Sequence, residues 1–431
     1  LNSTAPDPAA TLARTFLLGV PAPAEHLAAA LPRVGLAGAR DLGLVDDAGH
    51  ALLDLRPYSA IDDSGAVDWF VVSDVGELAL GGPLPPDHVL GVGGASLTLT
   101  SLIPTSAATS VLDLGTGCGV QALHASRHAS RVVATDISAR AIECATLTLR
   151  LNGITSVELR QGDLFAPVRG ESFDRIVSNP PFVITPRRAG VPLYEYRDGG
   201  LVGDALVESV VRGAAEHLTP GGTAHLLGNW EYHTDAEGLA RVSEWIAEAG
   251  LDGWVIERER QSPAEYAATW IRDGGTRVGT PEFERLANEW LDDFEARGVV
   301  AVGFGYIVLR QPSETSTHLV RAERLASPFA STPVGIGDHL LSCFAAHDTL
   351  GALDDAALSE RRLVVASDVT EERHYWPGEE NPTVIRLRQG GGMARTIDTD
   401  AALAGLVGAS DGELTVGEIV GALADLLEVD E

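Results

Sequence analysis

Four consecutive residues, Asn179-Pro180-Pro181-Phe182, carry the chemistry most directly readable from residue type. An asparagine side-chain carbonyl and the main-chain carbonyl of the next proline are two acceptors able to hold both hydrogens of a planar NH₂ group. Held this way, the nitrogen lone pair is drawn out of conjugation and made nucleophilic. Proline lacks an N–H, so Pro180 and Pro181 stiffen the loop without offering a competing donor. Phe182 adds a flat apolar face on which an amide or a base can stack. No strong general base is needed, because the proton leaves after the nitrogen has become cationic. The bland alternative is a plain proline turn after a strand.

Upstream, Val111 to Gly119 reads VLDLGTGCG: an apolar run with an acid, Asp113, followed by Gly115, Gly117 and Gly119 at alternate positions. This is the pattern of a buried strand, a tight turn that lets a ligand approach the backbone, and a helix. Two more apolar runs end in acids, Arg131 to Asp136 and Val157 to Asp163, the latter followed by Leu164. A fourth run, Phe173 to Phe182, ends in the proline tetrapeptide. An acid about twenty residues beyond a glycine-rich loop is where α/β nucleotide sites receive ribose hydroxyls. Open α/β sheets bind ligands outside the carboxyl ends of their strands, so four such strand ends in succession describe one site.

Together these motifs resemble the class I S-adenosylmethionine (SAM) methyltransferases, with Asp-x-Gly-x-Gly-x-Gly carried by Asp113. The tetrapeptide is similar to the Asn-Pro-Pro-Tyr/Phe signature of amino-methyltransferases, which act on glutamine amides in release factors, adenine N6, cytosine N4 and ribosomal RNA guanine N2. Val183-Ile184-Thr185-Pro186 and Arg197-Asp198-Gly199-Gly200 look like the HemK-type glutamine enzymes. Phe182, where that group usually has tyrosine, is closer to the ribosomal RNA guanine enzymes, and the flanking regions match neither. The resemblance covers roughly residues 88 to 312.

The resemblance implies an α/β, Rossmann-like sheet of seven strands, the last antiparallel between the fifth and sixth. It implies SAM as cofactor, S-adenosylhomocysteine as product, and no metal. Asp113 would receive the methionine ammonium, directly or through water. The backbone of Gly115, Thr116, Gly117 and Gly119 would pass under the methionine and ribose. Asp136 would bind the ribose hydroxyls with Ile137 on the adenine face, and Asp163 the adenine amino group with Leu164 lining the ring. Asn179, Pro180, Pro181 and Phe182 would be catalytic. The loop at residues 183–200 offers Arg187, Arg188, Tyr194 and Tyr196 for substrate selection, since long loops at such sites commonly select substrate; its alternative is an ordinary solvated lid.

The elements that must position these residues follow from periodicity. Residues 107–312 alternate strand and helix, as a parallel sheet covered on both faces requires. Residues 1–80 offer three helices (10–18, 23–31, 36–44) and strands at 51–58 and 69–74. That order is winged-helix-like, and with Arg40 the sole basic residue of the third helix it reads as a packing or dimerisation unit. Residues 81–106 are a proline- and glycine-rich linker that could cover the cofactor, with Asp87 and His88 a solvated pair assigned no chemistry. An acidic, aromatic insert at 262–298 holds helical stretches near 266–271 and 282–296; Trp290 and Phe294 have core spacing. Residues 313–431 form an α+β, winged-helix-like domain, with helices near 334–350, 401–407 and 416–427, strands at 363–366 and 383–388, and a glycine hinge at 390–392.

At 431 residues the chain has room for two or three domains. Its net charge of −30 disfavours a polyanionic partner. All 31 basic residues are arginine, which fits a GC-rich coding sequence. Three widely spaced cysteines, Cys118, Cys144 and Cys343, fit free thiols in a reducing compartment. No apolar run reaches membrane-spanning length, so no membrane partner and a cytoplasmic location are expected. The function expected first is methylation of an exocyclic amide or amino nitrogen, of glutamine type on a protein. Nucleobase methylation, tailoring of a small amine with the flanking domains as arms of a homodimer, and a non-catalytic SAM-sensing regulator are the alternatives.

Overall fold

The structure is a computed structural model that describes residues 7–76, 80, 84–234, 236–314, 316–330 and 335–428. It divides into two compact units. The first comprises the chain up to Thr100, Ser106–Ser313 and His318–Ala326; the second comprises Ser101–Thr105, Glu314–Thr317 and the chain from Ser327 onward.

The first unit opens with helices Pro8–Leu12, Ala24–Ala30 and Gly35–Asp41, then strands β1 (Asp54–Asp62) and β2 (Gly65–Ser73), an antiparallel hairpin. The hairpin buries Trp69 and Val71 against Cys118, Val120, Leu123, Cys144 and Leu149. Its turn is pinned by Asp62, which accepts from Arg127 Nε at 2.6 Å and lies 2.9 Å from His128 Nε2. The Arg127 guanidinium lowers the Asp62 pKa to about 2.

Eight strands then build the main sheet: β3 (Ala108–Leu114), β4 (Ala129–Asp136), β5 (Val157–Gln161), β6 (Phe173–Ser178), β7 (Leu218–His233), β8 (Asp252–Gln261), β9 (Val299–Arg310) and β10 (Val320–Arg324). Their order is β10-β8-β9-β7-β6-β3-β4-β5. β9 runs antiparallel between β7 and β8, as expected, while the remaining pairs are parallel. The runs that form β3, β4 and β6 bury Val111, Leu112, Val132, Val133, Ala134, Ile176 and Val177 with almost no exposure. Near-continuous apolar runs of this kind are what a sheet covered on both faces demands.

Two boundaries move. The sheet does not stop at Pro312, because β10 adds an eighth, edge strand parallel to β8. The glycine-rich connector is also not plain linker: Gly94–Leu102 is helical. Its glycines and Ser/Thr residues are poor helix formers, which hides the helix from propensity.

Within the second unit, helices Gly337–Gly351 and Asp355–Ser359 precede a three-stranded antiparallel sheet, β11 (Val369–His374), β12 (Val384–Gln389) and β13 (Thr396–Thr399). Helices Ala401–Ala409 and Val416–Leu427 follow. This order differs from residues 7–73, where three helices precede a hairpin. Leu363–Ala366 is not a strand but contributes an isolated bridge at Val364 to Asp411. β11 is the charged run VTEERH, largely exposed, so it shows little apolar alternation to read. The expected helix from 334 begins at Gly337, and residue 334 lies outside the described residues.

Candidate active site

β3 is the strand where the sheet changes direction: the chain steps from it to β4 on one side and returns to β6 on the other. Because β3 and β6 are direct neighbours with Leu114 in register with Ser178, the residues just past their tips are side by side. Ser178 Oγ donates to Leu114 O at 2.7 Å and ties the tips together. A Cβ built on Gly115 would lie 4.0 Å from the Asn179 carbonyl oxygen, so the glycine loop and the proline tetrapeptide share one edge. A cavity of about 840 Å³ opens there, within the size range of small-molecule sites.

Gly115, Gly117 and Gly119 all have positive φ, at 79°, 55° and 86°, which explains the residue type at these positions. A Cβ on Gly119 would also meet Ala145 at 3.3 Å, so this glycine lets the following helices close up. Asp136 ties the loop down: Oδ2 accepts from Gly117 N at 2.9 Å and Oδ1 from Ser138 N at 2.9 Å. Each carboxylate oxygen keeps a second acceptor site, and Asp136 lines the cavity. Burial raises its pKa. Ile137 is 60% exposed and faces the cavity, as do Asp163 and Leu164. Leu164 holds φ at 42°, a conformation unusual for a non-glycine residue, in that same wall.

Asp113 is placed differently from its expected role. It has no exposed surface and does not line the cavity. Its Oδ2 accepts from Thr116 Oγ1 at 2.6 Å, while Oδ1 is enclosed without a partner. Burial pushes its pKa up to about 7. Asp113 therefore braces the loop from behind through Thr116, and its carboxylate has no surface on the cavity.

At the other end, Asn179 lines the cavity and its Oδ1 has no hydrogen-bond partner. Pro180, Pro181 and Phe182 complete this wall. Phe182 bridges to Asp198 in antiparallel fashion, and Val183 N donates to Arg197 O at 2.7 Å. The ring meets Phe304 at 5.5 Å and Trp270 at 6.4 Å, edge to face with the latter. Trp270 sits in helix Pro263–Asp273, part of the insert, and that helix brings Asp273 to the cavity as well. One turn earlier, buried Tyr266 accepts from Ile184 N at 3.0 Å and from Asn229 Nδ2 at 2.5 Å. Trp290 and Phe294 of the second insert helix are core, as their spacing suggests.

Of the four loop candidates, Tyr196 alone lines the cavity, its hydroxyl donating to Asp273 at 3.0 Å. Arg187 is bound to Asp198 and to the Leu201 carbonyl, and Arg188 pairs with Glu289 at 3.3 Å on the protein surface. Tyr194 is buried under the Arg197 guanidinium, 4.6 Å from its ring. In this structure these three residues hold the loop through other protein groups and do not line the cavity.

Sequence reading missed Trp270 and Asp273 on the wall, and also His88; Glu195, in the loop already marked for substrate selection, joins them there. The expectation of a solvated Asp87–His88 pair fails for the histidine, which is only 3% exposed. Acids dominate the ionisable lining, with Asp87, Asp136, Asp163 and Glu195 all on the wall. An acidic lining suits a ligand carrying net positive charge.

Residues 91–242 match the family described as Methyltransferase small domain. A Bradyrhizobium diazoefficiens protein named ribosomal protein uL3 glutamine methyltransferase is 39% identical over 197 residues, 40% of this chain and 60% of that protein. The ribosomal RNA small subunit methyltransferase C of Shigella flexneri is 34% identical over 138 residues, 32% of this chain and 35% of that protein. The chain thus spans less than two thirds of either relative. A solved T. thermophilus 16S ribosomal RNA N2 G1207 methyltransferase, in complex with AdoMet and guanosine, is 18% identical with a TM-score of 0.33, covering 62% of this chain and 53% of that one. Residues 1–56, outside that segment, match a domain of unknown function. Among the described residues, no helix is long and apolar enough to cross a membrane.

Proposed function

We propose that the methyltransferase domain acts on a planar amide or amino nitrogen, with the side-chain amide of a protein glutamine as its acceptor. The observation that carries this reading is Asn179, which lines the cavity, has its backbone carbonyl beside the glycine loop, and encloses its Oδ1 without a hydrogen-bond partner. A buried acceptor without a donor is costly to leave unmade, and an NH₂ group is what it lacks.

The cavity suits SAM on its own terms: its volume, its acidic lining, and an exposed Ile137 beside a carboxylate with spare acceptor sites. Gly115, Thr116, Gly117, Asp136, Ile137, Asp163 and Leu164, all on the cavity wall, would hold it, with Gly119 shaping the loop from behind against Ala145. Bound SAM supplies an electrophilic methyl on a sulfonium sulfur and leaves as S-adenosylhomocysteine. The protein's own task is to present the acceptor nitrogen in line, about 3 Å from that carbon. Asn179 Oδ1 and the Pro180 carbonyl take the two hydrogens and turn the lone pair inward, and Phe182 supports the acceptor's plane. The cationic nitrogen then releases its proton to water.

A nucleobase offers the same planar NH₂, and one of the relatives bears an RNA methyltransferase name. The protein acceptor is favoured because Arg187 and Arg188, the loop's candidates for phosphate contact, are each engaged by carboxylates, on a chain of net charge −30.

The test is labelled SAM incubated with the purified protein and a lysate, with label counted in protein and nucleic-acid fractions with and without ribonuclease. Label in protein, insensitive to ribonuclease, is expected. Asn179→Ala should cut transfer by about a hundredfold or more while SAM still binds. Retained turnover in that variant defeats the assignment, and ribonuclease-sensitive label selects the nucleobase reading.

A further inference from the structure

His88 lies in the cavity wall at 3% exposure, and its Nδ1 is enclosed without a hydrogen-bond partner. Burial lowers its pKa, so the ring is held neutral, with one nitrogen a donor and the other an acceptor. Its backbone is held on both sides. Pro86 O, two residues before, accepts from Glu195 N at 2.9 Å. Val89 N, the next residue, donates to Asp74 Oδ2 at 2.9 Å. The other oxygen of Asp74 accepts from Arg140 Nε at 3.0 Å and Nη2 at 2.6 Å. Arg140 belongs to the helix Ala139–Leu151 that follows Asp136, so the Asp74 carboxylate clasps the connector to the helix that starts three residues beyond the proposed ribose site. One further contact joins the connector to the loop: the His88 ring meets Tyr196 edge to face at 6.2 Å, and Glu195, Tyr196 and Asp136 line the same cavity.

We propose that His88 is a binding residue for the adenosine half of SAM, giving its free Nδ1 to that half, and that the Asp74–Arg140 clasp positions it. This inference rests on the proposed function, since it names a further contact in the same cofactor cavity. The N-terminal hairpin thereby has a role in binding: β2 ends at Ser73, and the next residue anchors the wall of the cavity. Residues 88 and 74 lie outside the glycine loop and the strand-end acids that define the rest of the site.

The test is calorimetric titration of the full chain with SAM and with methylthioadenosine, which lacks the amino-acid end of SAM. Wild type, His88→Leu, His88→Asn and Asp74→Asn are compared, each checked for an unchanged thermal midpoint. Losing one buried hydrogen bond should weaken both ligands by the same factor, about tenfold, in His88→Leu. Asparagine places a polar atom near the position of Nδ1 and should recover most of that loss. Asp74→Asn should weaken both ligands in parallel without touching the ring, so it carries the test should His88→Leu not fold. Wild-type affinity in folded His88→Leu, or in folded Asp74→Asn if His88→Leu is unfolded, overturns the inference. So does a loss confined to SAM, which would put His88 at the methionine end. Failure of the wild type itself to bind SAM would instead overturn the proposed function.

Discussion

The two ends of the cavity are built by different means. The glycine-loop end uses residues within three positions of strand tips, held by bonds from backbone N–H groups: Gly117 N to the Asp136 carboxylate, Gly115 N and Thr116 N to Thr135 O. The Asn179 end is assembled from afar. Phe182 rests on Phe304 and Trp270, Ile184 is held by Tyr266, and Tyr196 by Asp273, over 77 to 122 positions of sequence. A site for a fixed ligand can be written into a contiguous motif. A site for a variable acceptor is built where an insert can change without disturbing the sheet.

If the ends are separable, damage to one should leave the other working. The largest effect is expected from Gly119→Val, which adds branched carbon at φ 86° against Ala145. Its SAM affinity should fall by about a hundredfold or more, with a lowered thermal midpoint. Near-normal binding in a calorimeter would mean that the loop is not the donor site.

Asp113→Asn is expected to act next, through stability. The folded-state pKa of Asp113, about 7, lies above its ordinary value of 3.8. Below the ordinary value both folded and unfolded forms are protonated and the group is neutral to stability. As pH rises towards about 7 only the unfolded form sheds the proton, so the folded state progressively loses stability. Above that the penalty is constant. Replacing the carboxylate should remove roughly 2 to 3 kcal/mol of stability change between about pH 5 and pH 8 in the ligand-free protein. Denaturant melts with unaltered pH dependence in the variant would show that Asp113 is not held in this state.

Trp270→Ala sharpens the comparison from the acceptor side. Its KM for the acceptor should rise by about tenfold, from the loss of the aromatic contact to Phe182, while SAM affinity stays within about twofold. Parallel losses for both ligands would mean that the ends are mechanically one.

Much of the central fold was legible because its causes are local. Apolar runs of strand length, each ended by a glycine, an acid or the proline tetrapeptide, specify strands and turns, and the β3–β6 neighbour relation brings Gly115 to Asn179. Side-chain partners were not legible. Arg187 and Arg188 stand in a loop beside the acceptor residues, yet Asp198 and Glu289 had already claimed them. Asp113 falls within the glycine motif, yet points behind it.

What the sequence alone determined is the glycine loop, the tetrapeptide and the order of the strands between them, because periodicity and backbone conformation act over a few residues. The tertiary structure alone decided that His88 is buried, that Trp270 and Asp273 reach the cavity, and that Asp113 does not. Burial and pairing depend on which distant surfaces meet, and one-dimensional spacing does not record that.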